Sequence, residues 1–146
     1  MNELGDLYQE IILDHYKHPR NAGTIESPTG QARGDNPLCG DQIAVTVRAP
    51  GDRIEDVRWR GAGCAISTAS ASLMSEAVKG KTRAEFLELF RKFHAMVTGT
   101  GASDGLEKLE VFSGVSEFPV RVKCASLAWH TLRAALEGDK NTVSTE

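Results

Sequence analysis

A chain of 146 residues and 15.8 kDa is long enough to bury a substantial core as one domain. With 40% hydrophobic and 25% charged residues it has the composition of an ordinary globular protein, and its formal charge of -3 argues against non-specific nucleic-acid binding, which needs a basic surface. No apolar run approaches the ~18 residues of a membrane span, and Met1 to Asp6 is too polar for a signal peptide. A cytoplasmic protein is expected, with protein or small-ligand partners, no nucleic acid and no membrane.

In chain order, Leu4, Leu7, Tyr8, Ile11, Ile12 and His15 recur every three or four residues and predict an amphipathic helix that Pro19 stops. His18 to Gly23 reads as a loop, and residues 24–35 are weakly patterned, with room for a short edge strand. Strict alternation from Gln42 places Ile43, Val45 and Val47 on one face of a strand. Ala49-Pro50-Gly51-Asp52 then turns the chain into a second strand with Ile54, Val57 and Trp59. These three do not share one parity, so a bulge or two-sided burial is expected. Ala65 to Lys79 is a helix of small residues closed by Gly80. Thr82 and Glu85 form a capping box for a further helix, with Phe86, Leu87, Leu89, Phe90, Phe93 and Val97 on its buried face and Gly99-Thr100-Gly101 at its end. Leu106, Leu109 and Phe112 predict one short helix. Phe118-Pro119 opens the last helix, whose apolar face runs from Val120 through Cys124, Leu127, Ala128, Thr131 and Leu132 to Ala135, and Gly138 closes it. Residues 139–146 are expected to fray. Without repeats or linkers, the expected fold is a single α+β domain over residues 1–146: a small antiparallel β-sheet with helices packed against it.

The three cysteines hold the chemistry. Cys39 lies between Pro37 and Gly40 just before a strand, Cys64 follows Gly61-Ala62-Gly63 at a helix start, and Cys124 lies near the start of the final helix beside Arg121 and Lys123. An odd number of cysteines is poor material for disulfides, so reduced thiols with a chemical role are expected. A single free cysteine is more often a small buried hydrophobe. Here a helix N-terminus or neighbouring cations favour the thiolate at two of the three positions. Asp41, two residues after Cys39, is on the same side of an extended segment and supplies a fourth donor. Cys39, Asp41, Cys64 and Cys124 together would complete a tetrahedral zinc shell, although the usual pair of C-x-x-C knuckles is absent. Arg121 and Lys123 read equally as a solvated face or as cations that favour ionised sulfur. His15 and His18, at the end of the first helix, read as capping or partner-contact residues, and His94 and His130 as surface or core-edge residues. No Ser/His/Asp arrangement, Walker motif or dinucleotide glycine pattern occurs.

Three segments, Asp14-His15-Tyr16-Lys17-His18-Pro19-Arg20-Asn21, Asn36-Pro37-Leu38-Cys39-Gly40-Asp41 and the run from Gly63-Cys64-Ala65 to Ser72, closely resemble the U-type iron-sulfur cluster assembly proteins, the IscU and NifU N-terminal-like superfamily. The resemblance runs from about residue 4 to 137. It implies an α+β domain with Cys39, Asp41, Cys64 and Cys124 gathered at one exposed edge. In the scaffold branch, IscU, a histidine precedes the last cysteine and a Leu-Pro-Pro-Val-Lys segment recruits a chaperone. Here Lys123 and Phe118-Pro119-Val120-Arg121 stand in those places. Residues 80–101 resemble the insertion of the SufU branch, whose members bind zinc and accept sulfur from a pyridoxal-phosphate cysteine desulfurase of the SufS type.

That resemblance implies a sulfurtransferase-type activity. A desulfurase histidine takes a metal position and frees Cys39 to accept the persulfide sulfur, Asp41, Cys64 and Cys124 retain the metal, and Arg121 and Lys123 act as auxiliaries. The sulfur then passes to downstream iron-sulfur assembly proteins. Two alternatives use the same residues: a scaffold that assembles an iron-sulfur cluster, and a structural zinc-binding interaction module.

Overall fold

Strand β2 (Asp41–Arg48) is built on the alternation of Ile43, Val45 and Val47, all buried against the helices. The computed structural model describes residues 3–37, 39–101, 105–138 and 143–144, with the backbone alone for residues 3–6. Strand β1 (Gly30–Asn36) pairs antiparallel with β2, and β2 with β3 (Asp56–Ala62). Two residues near the end, β4 (Val143–Ser144), join β1 in parallel at Gly34 and Asp35, so the sheet has the order β3-β2-β1-β4 and is mixed at one edge. The weakly patterned stretch before Asn36 thus yields a strand with a neighbour on each side. Of the tail expected to fray, residues 139–142 and 145–146 lie outside the described residues, as does Leu38.

The parity problem around Ile54 disappears in the fold. Val57 and Trp59 share the inner face of β3. Ile54 precedes the strand and is fully buried, with its N–H on the Lys81 carbonyl and its own carbonyl accepting from Gly80 N, both at 2.8 Å. No bulge is required.

Helix α4 (Pro119–Glu137) lies along β1 and β2, close enough that a Cβ on Gly34 would run into Thr131 Oγ1 and Leu127 Cδ1. Helix α2 (Ala65–Val78) packs between α4 and α1 (Glu3–Lys17), and its serines and alanines allow the close approach. Helix α3 (Arg83–Thr98) has the expected reciprocal capping box of Thr82 and Glu85, and Gly99 ends it in the left-handed conformation at φ 79°. It delivers Phe86 and Phe93 to Trp129 of α4, with the Phe93 and Trp129 rings stacked at 4.4 Å. Leu87, assigned to the buried face, is instead exposed, and Leu89 is half-buried. The single short helix expected around Leu109 is two 3-10 segments, Glu107–Phe112 and Val115–Glu117. Among the described residues no helix is long and apolar enough to cross a membrane.

His15 departs from its expected role. It is buried, with Nδ1 2.7 Å from Ser72 Oγ and Nε2 3.7 Å from Glu76 Oε1. Ser72 Oγ also accepts the Arg20 N–H at 2.9 Å, and Nδ1 is an acceptor within reach of its proton, an arrangement that suits the neutral imidazole with its hydrogen on Nε2. Burial lowers the His15 pKa, and the Arg20 cation acts in the same direction. This residue therefore staples α1 and the following turn to α2. Asn21 Nδ2 on Ser75 Oγ and Trp59 Nε1 on the Arg20 carbonyl extend the staple. His94 and His130 are half-buried beside Phe90, the core-edge position expected of them.

Candidate metal centre

Three local geometries bring the cysteines together at one end of the sheet. After β1 the Asn36 carbonyl accepts from Cys39 N at 3.2 Å and Gly40 N at 2.8 Å, and Gly40 takes φ 75° to enter β2. This tight turn leaves Cys39 exposed and places Asp41, 1% exposed, as the first residue of β2. At the far end of β3, Cys64 is the N-cap of α2, with its Sγ accepting from Ser67 N at 3.4 Å. Cys124 is buried in α4, directly behind Cys39.

Donor atoms of Cys39, Asp41 and Cys124 all lie within 4.8 Å of one another. Cys124 Sγ donates to Cys39 Sγ at 3.4 Å, and Cys64 Sγ lies 3.9 Å from Asp41 Oδ2. A tetrahedral zinc with bonds near 2.3 Å needs donor separations of about 3.8 Å, so both pairs lie within about 0.4 Å of tetrahedral edges. Cys64 touches the set through Asp41 and falls outside the three-way cluster. Chemically the donors suit a soft divalent cation. Asp41 is a buried carboxylate whose described partners are the Cys64 N–H, at 3.0 Å from Oδ1, and thiols, with no ion pair to Lys, Arg or His among the described residues. Burial, and then the nearby Asp41 and Cys39, pushes the Cys124 thiol far above its usual range, a penalty that a bound cation reverses.

The two basic candidates differ in placement. Arg121 lines the groove that contains all three thiols and lies over the Phe118 ring at 4.4 Å, whereas Lys123 is half-buried on α4 and does not line that groove among the described residues. Two features of the site were not anticipated. Asn36, fully buried, places Nδ2 3.7 Å from Cys124 Sγ, and its signal was its place at the head of the Cys39 turn. The second is the apolar wall of the groove, of about 1040 Å³, formed by Tyr8, Ile12 and Leu13 of α1 and by Phe118 and Val120. Val120, expected on the buried face of α4, is 50% exposed because it rims this opening.

Residues 7–97 match the model of the NifU-like N terminal domain. The chain belongs to that family. Among its relatives are the zinc-dependent sulfurtransferase SufU of Bacillus subtilis, 42% identical over 88% of each chain, and the iron-sulfur cluster assembly scaffold protein IscU of Streptococcus pyogenes, 40% identical over 97% of this chain and 89% of the relative. A crystal structure of a proposed SUF-system iron-sulfur cluster assembly scaffold protein from Fervidobacterium islandicum, 38% identical, superposes with a TM-score of 0.82 over 87% of this chain and 94% of that one. The family therefore includes both a sulfurtransferase and scaffolds at nearly equal distance from this chain.

Proposed function

We propose that this U-type protein is a zinc-dependent sulfur carrier of iron-sulfur cluster assembly, of the SufU branch, accepting persulfide sulfur from a pyridoxal-phosphate cysteine desulfurase of the SufS type. The observation that carries the reading is the asymmetry of the thiols: Cys39 and Cys64 are both exposed, but Cys64 is tied by its sulfur into a helix cap whereas Cys39 is on a turn, and Cys124 and Asp41 are buried. Zinc bound by Cys39, Asp41, Cys64 and Cys124 would keep the thiols ionised and fix their geometry.

In the transfer, Cys39 swings out on its turn and its thiolate attacks the outer sulfur of the desulfurase persulfide. A sulfur–sulfur bond forms at Cys39, the donor's sulfur–sulfur bond breaks, and the donor cysteine departs as a thiolate with the bonding pair. The persulfide proton stays on the transferred sulfur, so no external oxidant or reductant is needed. Asp41, Cys64 and Cys124 stay in place, and Arg121 at the groove rim offers its charge to the anionic sulfur. The sulfur then passes to downstream assembly proteins in the cytosol, where thiols remain reduced.

The relationship to a scaffold at 40% identity favours a second reading, cluster assembly on the same donors, because thiolates suit both centres. Protein purified anaerobically without added metal separates the two. The carrier contains about one zinc per chain, stimulates the desulfurase and gains one sulfur on Cys39 by mass spectrometry. An iron-sulfur chromophore without zinc establishes the scaffold instead.

A further inference from the structure

Among the described residues, the outer face of the sheet, away from the helices, is covered over only half its length. Ile25 N donates to Thr46 Oγ1 at 3.0 Å and the Glu26 carbonyl accepts from Arg48 Nη2 at 3.0 Å, so the segment after α1 closes the half farther from the cysteines. On the other half, Arg33 of β1, Ala44 of β2 and Arg60 of β3 form one cross-strand row, with both arginines exposed. The small Ala44 and Gly61 make the floor of a shallow depression that Arg33 and Arg60 flank. Two strand spacings put the arginine Cα atoms ~10 Å apart, a span that two carboxylates of one extended segment can bridge.

These two guanidinium groups are set apart from the other arginines. Arg20, Arg58, Arg91 and Arg133 are paired with carboxylates, Arg48, Arg53 and Arg83 bond backbone carbonyls, and Arg121 lies over Phe118. Arg33 and Arg60 have no hydrogen bond, ion pair or ring contact among the described residues, in a chain with 20 acidic side chains and a net charge of -3. Asp35, half-buried, is the one carboxylate lining the depression among the described residues. The overall negative charge disfavours a nucleic-acid polyanion, while a local pair of free guanidinium groups suits a short acidic stretch. The row is three residues along β2 from Asp41, ~10 Å, so a protein held here lies beside the metal centre.

We infer that the open half of the outer sheet face is a docking surface for an acidic segment of a partner protein, gripped by Arg33 and Arg60 on either side of Ala44. The probe is an acetylated, amidated hexapeptide of alternating glutamate and serine, titrated into the zinc-loaded, isotope-labelled full chain and followed by amide and guanidinium NMR shifts. Expected are saturable shifts confined to residues 33–35, 42–44 and 60–62, binding about tenfold weaker in the Arg33→Gln/Arg60→Gln double variant, and strong weakening at high salt. Both substitutions are at exposed positions, and the amide spectrum of the variant reports directly that it is folded.

Absence of these shifts, equal shifts from the glutamine counterpart of the peptide, or unchanged binding by the double variant would overturn the inference. Acetate or phosphate binding as tightly as the peptide would make this a small-anion site and overturn the docking of a segment. None of these readouts depends on sulfur transfer, so the inference stands or falls separately from the proposed activity.

Discussion

Gly63→Ala tests whether the fold, rather than the metal, positions Asp41. A Cβ at Gly63 would lie 2.5 Å from Asp41 Oδ1 and 3.0 Å from its Cγ. Oδ1 is thus about 0.9 Å inside the 3.4 Å at which ordinary contact begins. Asp41 is buried on a paired strand, so the carboxylate relieves the clash only by rotating away and releasing the Cys64 N–H. A hydrogen bond to a charged acceptor contributes ~1.5–3 kcal/mol, which converts to a loss of roughly 10- to 100-fold in metal affinity if the lost positioning is expressed in binding. Zinc affinity is read by competition with a chromophoric chelator, with Gly51→Ala as the control because nothing lies within 4 Å of its added Cβ. If Gly63→Ala bound zinc within threefold of the parent while retaining its fold, Asp41 would not be preorganised by this contact, and its place in the donor set would lose its structural support.

Cys39→Ser should abolish desulfurase stimulation in preparations that still retain zinc through Asp41, Cys64 and Cys124, whereas a purely structural site would make all three Cys→Ser variants fail alike through metal loss. Chelation should lower the melting temperature by on the order of 10 °C, since a ligand at a thousandfold its Kd adds ~4 kcal/mol to the native state; an unchanged melting curve would show that the donors form no preformed site. Gly34→Ala, which drives a methyl into Thr131 and Leu127, should cost ~1–3 kcal/mol in urea unfolding, with the denaturant midpoint as the readout. Stability should also fall as the pH drops below about 6.5: the unfolded chain protonates His15 and His130 at that ordinary value while burial keeps both neutral in the fold, so their contribution is complete above 6.5 and is lost down to their lower folded pKa values. His15→Asn, which keeps an acceptor for Ser72, should flatten the His15 share of that slope in pH-dependent unfolding, and an unchanged slope would place the titration elsewhere.

The elements that were legible in the sequence are those fixed by local chemistry. The capping box at Thr82, the left-handed closure at Gly99 and the alternation in β2 each depend on residues a few positions apart, and each appears as read. What was not legible depends on distant neighbours. Ile54 broke the strand parity because its partners, Gly80 and Lys81, are in a turn between two later helices. His15 looked like a capping imidazole because Ser72, the hydrogen-bond partner of its Nδ1, is 57 residues away. Val120 fitted the periodicity of α4 yet is exposed, since periodicity assigns a helix face but not the opening at which that face ends. At the candidate site the donor types could be read, but the inequality among the thiols required knowing which element holds each one.

That inequality is what connects fold to chemistry. Cys124 is fixed by a helix that the stacked Trp129 and Phe93 anchor in the core, so moving it would disturb the packing of α3 and α4. Cys64 is held less deeply, but its sulfur accepts an otherwise unpaired amide of α2, and displacing it would uncap that helix. Cys39 is on a turn whose backbone bonds among the described residues are both to the Asn36 carbonyl, and its sulfur meets only the Cys124 thiol there rather than a backbone group. Under the proposed sulfur transfer, a thiol that alternates between holding a metal and meeting a donor requires that freedom, and the remaining donors require its absence. The same end of the sheet supplies both, because β1 leaves through a turn at Cys39 while β3 runs directly into a helix at Cys64.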